Sequence, residues 1–512
     1  MGKTIAVIGA TGYVGGRLVP RLISNGHRVR TVARSLEKLR CRPFAVSTSL
    51  EVAEADVLDE KRLVEALTNC HAAYYLVNHA ETESNTLVEM EHAAARNMVR
   101  AAESLGLSRI IYLSGLGEER EAGRSKYLAS KYETARILAS GSVTLTWLRA
   151  APILGSGSVY FEIVRSLVES LPLMIVPRWA RVVSRPIDIG DVISYLVGCI
   201  DNEATAGKIF NIAGPDRISF RDVCDIYAAE AGLHKRPIIA IPAAVPRLSS
   251  AWINHFTPVP ASVALPLIEV LLDDLTVADD RLRELVPIEL TPARVSIRGA
   301  LKEIRQGLVE TCWSDAGKMG APDWLACTES GFGSANIYEC NYRAILDCPP
   351  EMVWRVLKTA GGRYGWYFGN VLWQLRGFID RLLGGVGLRR GRRNQEEIRT
   401  GDALDFWRVL LAEENMRLIL SAEMKLPGEA VLIFNLTPVE NGCELVQIAR
   451  FLSGGLPGML YWYAMAPFHD FLFKGMLKKI ASNAGCRVRL GPEKFEGAGD
   501  MCRLPDNWGK AG

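Results

Sequence analysis

The chain carries almost no excess of charge of either sign. Its 60 Lys and Arg against 57 Asp and Glu leave a formal +3 at pH 7 over 512 residues, too little to draw the protein as a whole onto nucleic acid or a membrane. It lacks paired cysteines. Eleven are scattered from Cys41 to Cys502 and none falls in a CxxC, so no zinc or other metal site is expected. The odd count, and a strand that starts with no leader before it, read as reduced thiols in a cytoplasmic protein. An uninterrupted apolar span of membrane length is also missing. The nearest, Gly454 to Phe473, holds two prolines, His469 and Asp470. It reads as a buried helix, with docking on the membrane face as the alternative. The rest is ordinary: 49% hydrophobic and 23% charged, enough for two to four domains and more than one sizeable core.

What the chain does have is concentrated at its start. The apolar run Ile5 to Ile8 leads into Gly9-Ala-Thr11-Gly12-Tyr13-Val14-Gly15, and a helical stretch, Arg17 to Asn25, follows at once. A buried strand, a glycine turn and a helix N-terminus form an anion site suited to a pyrophosphate. The three glycines give a tight turn, close approach of phosphate and close helix–strand packing. Strand-like and helical segments then alternate: His27–Ala33, Val52–Val57, Ala72–Val77, a helix over 89–105, Arg109–Ser114, a helix over 127–140, and Thr144–Arg149. That order implies an α/β, doubly wound parallel sheet of Rossmann type, with ligand beyond the carboxyl ends of the strands. Leu76, Asn78, Pro152 and Ile153 also fall at such ends. Arg34 and Ser35 follow the second strand, where an acid would select NAD. An Arg there, assisted by Arg17, favours the 2′-phosphate of NADP, with NAD as the lesser option. Asp56 and Val57 are placed at the adenine, where a carboxylate accepts from an amino group.

Ser114 ends the fifth strand, and Tyr127 and Lys131 are four apart on the next helix and share a face. A carbonyl that accepts hydride also needs a proton. A free tyrosine, with a pKa of about 10, supplies one near neutrality only beside a positive charge. Ser114 would orient the substrate oxygen.

These residues together resemble the short-chain dehydrogenase/reductase superfamily over residues 1–305, in its extended and atypical branches: NmrA-like and nucleoside-diphosphate-sugar epimerase-like proteins. Arg149–Ser158, Pro186–Val192 and Phe210–Pro215 match that family's later segments. The resemblance implies an NAD(P)-dependent oxidoreductase with Ser114, Tyr127 and Lys131 catalytic. It implies a substrate lobe over about 159–304. Its alternatives are a non-catalytic, redox-sensing dinucleotide binder and a nucleotide-sugar epimerase or dehydratase. The whole chain resembles bacterial proteins of the YbjT type, which fuse such a domain to one of unknown function. Many of them lack the Tyr and Lys present here.

Residues 306–337, rich in Gly, Ser and Asp, read as a linker. Residues 338–484 carry a strand, a helix opening at Pro350, four successive strands and a long helix over about 458–481. This α+β order resembles the helix-grip fold of START-like proteins, which encloses an apolar cavity. Trp366, Asn370, Trp373 and Arg376 are placed on a helix beginning near Gly365, with Trp373 and Arg376 read either as a pocket mouth or as core packing and a surface cation. Arg389-Arg390-Gly-Arg392-Arg393 is read either as a phosphate or acidic-lipid site or as internally paired with Glu396, Glu397, Asp402 and Asp405. Residues 485–512 read as a loose tail. The expected partner is a small, apolar substrate; no nucleic-acid module accompanies the basic run.

Overall fold

Short apolar runs bounded by glycine or polar residues form the strands of the first sheet: β1 (Thr4–Ile8), β2 (Arg28–Ala33), β3 (Leu50–Glu54), β4 (Ala72–Tyr75), β5 (Arg109–Gly115) and β6 (Thr144–Ala150). The computed structural model describes residues 3–34, 36–40, 42–77, 85–116, 125–241, 253, 256–257, 259–271, 279–316, 337–383, 385–388 and 392–496. Two compact units result, 1–316 and 317–512.

In the first unit seven strands run parallel in the order β3-β2-β1-β4-β5-β6, with Ile209–Ile212 beyond β6. The order in which strands are added reverses between β1 and β4, the place where doubly wound sheets bind dinucleotides. Period-two alternation puts Ile5, Val7, Tyr74 and Ile111 against the helices Tyr13–Ser24 and Ile189–Asp201. It puts Ala6, Ile8, Tyr75 and Tyr112 on the opposite side, under Asn85–Leu105 and Lys126–Ala139. The stretch 159–304, expected as one lobe, is divided. Ile189–Asp201 and Ile209–Ile212 complete the main sheet and its cover. Val159–Ser170, Phe220–Ala231 and Ala293–Gln306 pack around Phe161, Tyr227 and Ile297 as a second cluster.

The linker expected from 306 begins later. Thr311 Oγ1 donates to Tyr13 O at 2.8 Å, Trp313 N to Gly157 O at 2.8 Å, and Arg42 to both Asp315 (2.8 Å) and Thr11 O (3.1 Å). These bonds strap 310–316 to the glycine turn. Glycine, serine and aspartate bias the sequence toward a loop, and that bias says nothing about where a loop is pinned.

The second unit is a seven-stranded antiparallel sheet. Its order is Ala403–Leu404, Trp407–Glu413, Arg417–Ala422, Gly428–Val439, Gly442–Ser453, Ile337–Leu346 and Val488–Phe495. The 28-residue helix Leu456–Asn483 lies on it and buries Leu472, Phe473, Met476, Leu477 and Ile480. Among the described residues, no helix is long and apolar enough to cross a membrane. The tail is corrected: Val488–Phe495 is an edge strand beside Ile337–Leu346. Its Arg, Lys and Glu face solvent, which is why composition gave no strand signal. The reduced-thiol expectation fails for one pair, Cys348–Cys486, which is disulfide-bonded across 138 residues. Asp347 N donates to Arg487 O at 3.1 Å and brings the two ends together. Cys70, Cys199, Cys224, Cys312, Cys340 and Cys443 are free thiols.

Both alternatives left open for this unit resolve toward packing where the residues are described. Trp366 is 1% exposed, its indole N–H donates to Asp405 at 3.0 Å, and it lies 5.9 Å from Trp373 and 6.3 Å from Phe406. Asn370 accepts from Trp366 N at 3.0 Å, and Arg376 donates to Lys425 O at 3.0 Å. Arg393 pairs with Asp402 at 3.0 Å, and Arg392 donates to the carbonyls of Lys358 and Ala360. Arg389 and Arg390 lie outside the described residues.

Candidate functional site

The site is built at the carboxyl edge of the parallel sheet. After β1 the backbone turns at Gly9 with φ +89°, and a Cβ there would meet Leu76 O at 2.8 Å. Gly15 is tighter still: a Cβ would lie 2.3 Å from Gly9 O, so only glycine lets the helix Tyr13–Ser24 sit this close to the strand. Gly12 differs. Its nearest neighbour would be Gly9 O at 3.3 Å and nothing else lies within 4 Å. The protein packs against two glycines and leaves the third facing open space, the cradle a phosphate needs. Gly12 N donates to Gly9 O at 3.0 Å, and the first turn of the helix carries no acidic residue, so nothing in that turn offsets its positive end. Thr11 and Val14 are part-buried around this turn. Burial pushes the Tyr13 phenol well above the ordinary tyrosine value, with Arg17 opposing, and its hydroxyl has no hydrogen-bond partner.

Arg34 stands exposed at the end of β2. Arg17 does not join it, which corrects the expected assistance. Its Nε donates to Thr311 Oγ1 at 2.9 Å and its Nη2 to Ser156 O at 2.9 Å, with 6% of the residue exposed. The strap at 310–316, unseen in the sequence, supplies the competing acceptor. Asp56 Oδ1 accepts from Leu58 N at 2.9 Å, and Val57 is nearly buried with its carbonyl held by Asn97 at 3.0 Å. Leu76 N donates to Ile8 O at 3.0 Å, and Pro152 O accepts from Ile187 N at 3.0 Å, beside Ile153 in the short strand Ile153–Leu154. Ser35 and Asn78 lie outside the described residues.

Of the expected catalytic three, two come together fully. Ser125 caps the helix Lys126–Ala139 by accepting from Leu128 N at 3.1 Å. That helix then lays Tyr127 against the end of β5: a Cβ at Gly115 would be 3.6 Å from the Tyr127 hydroxyl. The Lys131 ammonium lies 5.2 Å from the centroid of the Tyr127 ring. Ser114 is the neighbour of Gly115, but its Oγ accepts from the Trp147 indole N–H at 2.9 Å and donates to Gly115 O at 3.3 Å. Trp147 sits on β6, in register with Tyr112 of β5.

Sequence reasoning missed Glu91. It is 0% exposed, forms an ion pair with Lys131 and accepts from Ser130 Oγ at 3.0 Å. Burial lowers the Lys131 pKa, with Glu91 opposing. Tyr75 and Tyr112 carry buried, unpartnered hydroxyls and feel the same carboxylate. A signal existed: Glu91 shares a helix face with Ala94, Ala95 and Met98, and a carboxylate on an apolar stripe demands a cation.

Residues 9–165 match a family model described as NAD(P)H-binding, and residues 333–476 match one described as a protein of unknown function, DUF2867. The chain is 27% identical over 225 residues to divinyl chlorophyllide a 8-vinyl-reductase, chloroplastic, from Zea mays, covering 42% of this chain and 55% of that protein. It is 22% identical over 258 residues to photosystem II assembly factor Ycf39 from Synechocystis sp., covering 49% and 74%. The match thus spans about half the length of the vinyl-reductase. Among solved structures, the triphenylmethane reductase of Citrobacter sp. complexed with NADP(H) aligns with a TM-score of 0.48 at 19% identity, covering 58% of this chain and 99% of that one.

Proposed function

We propose that the first unit is an NADP(H)-dependent oxidoreductase of the short-chain dehydrogenase/reductase type, acting on a small, apolar carbonyl or hydroxyl substrate. One observation carries the reading. A glycine turn with room at Gly12 and a tyrosine hydroxyl held beside Gly115 occupy the same edge of one sheet, at the ends of β1 and β5. The dinucleotide would be held by Gly9, Gly12, Gly15 and the first turn of Tyr13–Ser24, with Asp56 and Val57 toward its base. Bound there, its nicotinamide gives or takes hydride. Tyr127 moves the matching proton at the substrate oxygen, and the Lys131 charge favours the phenolate that results. Ser114 Oγ accepts from Trp147 and donates weakly to Gly115 O at 3.3 Å, so its one proton would swing from that carbonyl to the substrate oxygen.

The glycines test the cradle. Gly12→Val should leave the thermal midpoint near the parent's and weaken dinucleotide binding at least about 100-fold, since the side chain fills the phosphate's space. Gly15→Ala should behave in the opposite order. Its methyl meets backbone at 2.3 Å, and the fold loses about 1–3 kcal/mol or more through overpacking. Calorimetric titration with melting curves on both variants checks this. Normal binding by a folded Gly12→Val variant would remove the basis of the reading.

Cofactor choice rests on Arg34 and on the lack of an acid beside it. Arg34→Ala should weaken NADPH binding about 10- to 100-fold, the worth of one charge-assisted phosphate contact, and leave NADH unchanged. Equal losses for both dinucleotides would point away from the 2′-phosphate.

A specific observation also favours a second reading, a dinucleotide binder without turnover. Glu91 already holds the Lys131 ammonium, which reduces what that charge offers Tyr127. Failure to consume NADPH across a panel of carbonyl compounds, with binding intact, would select it. For the second unit we propose a helix-grip architecture, supported by the long helix laid on an antiparallel sheet and departing from it in the added strand Val488–Phe495.

A further inference from the structure

Apolar side chains spaced i, i+4, i+7 and i+8 along a helix ordinarily face a core. In the second unit two helices turn such stripes to solvent. Along Asn370–Leu382, Val371, Leu375, Phe378, Ile379 and Leu382 are between 42% and 75% exposed. Along Leu456–Asn483, Leu456, Leu460, Tyr463, Phe468 and Phe471 are between 47% and 63% exposed. The helices meet where the first begins. The Phe368 ring lies 5.1 Å from Phe471, and a Cβ on Gly369 would strike Leu472 at 2.4 Å. Single exposed leucines need no explanation; two ordered stripes converging on one place do.

The longer stripe runs on into positive charge. On the long helix the apolar stripe stops at Phe471, and exposed Lys474, Lys478 and Lys479 follow. The sole acid of that helix, Asp470, accepts from Tyr342 at 2.8 Å and from Lys494 at 3.3 Å. On Asn370–Leu382 the one acid is Asp380, fully buried, accepting from the backbone N–H groups of Gly387 (2.8 Å) and Lys425 (2.6 Å). The same helix carries Arg381, part-buried, and Arg376, which is turned in toward Lys425 O at 3.0 Å. Asp380 is thus turned inward, and Asp470, part-exposed, is already paired with Lys494. A second copy of this face, docked about a twofold axis, would bring cationic borders together. An anionic surface with an apolar interior complements both features, and leucine with aromatic residues beside lysine is the make-up of helices that lie in a bilayer interface.

We propose that the second unit docks on an anionic bilayer surface, laying the exposed stripes of Asn370–Leu382 and Leu456–Phe471 into the headgroup region. The test is flotation of the full chain with phosphatidylcholine vesicles containing or lacking phosphatidylglycerol. The protein should float with the anionic vesicles, stay largely behind with neutral ones, and lose binding as salt rises. Phe378→Asp/Leu382→Asp and Leu460→Asp/Phe468→Asp alter exposed positions, so dinucleotide binding should persist while the floated fraction falls at least about tenfold. A Leu460→Trp variant, which adds no charge, should be quenched by lipids brominated in their acyl chains. This readout decides the matter if the aspartate pairs fail to fold. No flotation with anionic vesicles overturns the proposal, as does flotation indifferent to both aspartate pairs. A dimer that those pairs dissociate, with no vesicle binding by the parent, assigns the face to a second copy instead.

Discussion

Lys131→Met is expected to destabilise the first unit by about 3–5 kcal/mol, because it strands the Glu91 carboxylate in a site with no exposure. For a unit of this size that is a fall in thermal midpoint on the order of ten degrees. The ion pair itself is a weak source of stability. Desolvating both groups costs about what their attraction returns, so the loss measures the abandoned charge rather than the bond. The double variant Glu91→Leu/Lys131→Met should accordingly recover most of the midpoint. Its carboxylate is gone, and the leucine joins Ala94, Ala95 and Met98. Melting curves of the two single and one double variant close the cycle. If Lys131→Met melts with the parent, Glu91 is satisfied by something other than Lys131. The same experiment bears on function. A lysine held in place by a buried acid is structural whether or not it also assists Tyr127, so its single variant confounds folding with catalysis, and the double variant separates them.

That ion pair also marks the boundary of what could be read from the chain alone. The sheet was legible because its strands are local: Ile5 to Ile8 and Arg109 to Ser114 announce themselves by composition, and the glycine turn by its place between strand and helix. The steric division of labour was legible too. Gly9 takes a positive φ, a Cβ at Gly15 would strike a backbone oxygen at 2.3 Å, and one at Gly12 would have only Gly9 O within 4 Å, at 3.3 Å. What failed to show were partners distant in sequence. Lys131 and Glu91 are 40 residues apart, Arg17 and Thr311 nearly 300. A charged residue advertises that it needs a partner and never which one. Sequence therefore points Arg17 toward a phosphate, where the structure turns it to Thr311, and reads 310–316 as linker, where the structure straps it to the glycine turn. In the second unit the polar strand Val488–Phe495 reads as a tail for a related reason: an edge strand with solvent on one face needs little hydrophobic pattern, and its pairing comes entirely from Ile337–Leu346.

Tyr127→Phe tests the chemistry with the least disturbance to the fold. The ring is 8% exposed and packs with Leu116 and Val270; phenylalanine keeps that packing and removes only the oxygen. A proton donor placed at the substrate oxygen is worth about 10²- to 10⁴-fold in rate, so turnover of NADPH with a carbonyl substrate should fall by that factor. Dinucleotide affinity should stay within about twofold, because the cradle at Gly9–Gly15 is untouched. Ser114→Ala should do less, since the Ser114 hydroxyl orients rather than transfers, and it also strips the Trp147 indole of its acceptor, adding a stability loss of about 1–3 kcal/mol for a buried donor left alone. The ordering is therefore specific: Tyr127→Phe loses rate at constant midpoint, and Ser114→Ala loses midpoint with a smaller loss of rate. Steady-state kinetics beside melting curves distinguishes the two. A Tyr127→Phe variant that turns over as the parent does would take the hydroxyl beside Gly115 out of the reaction, and the intact dinucleotide site would then belong to a protein that senses the cofactor without spending it.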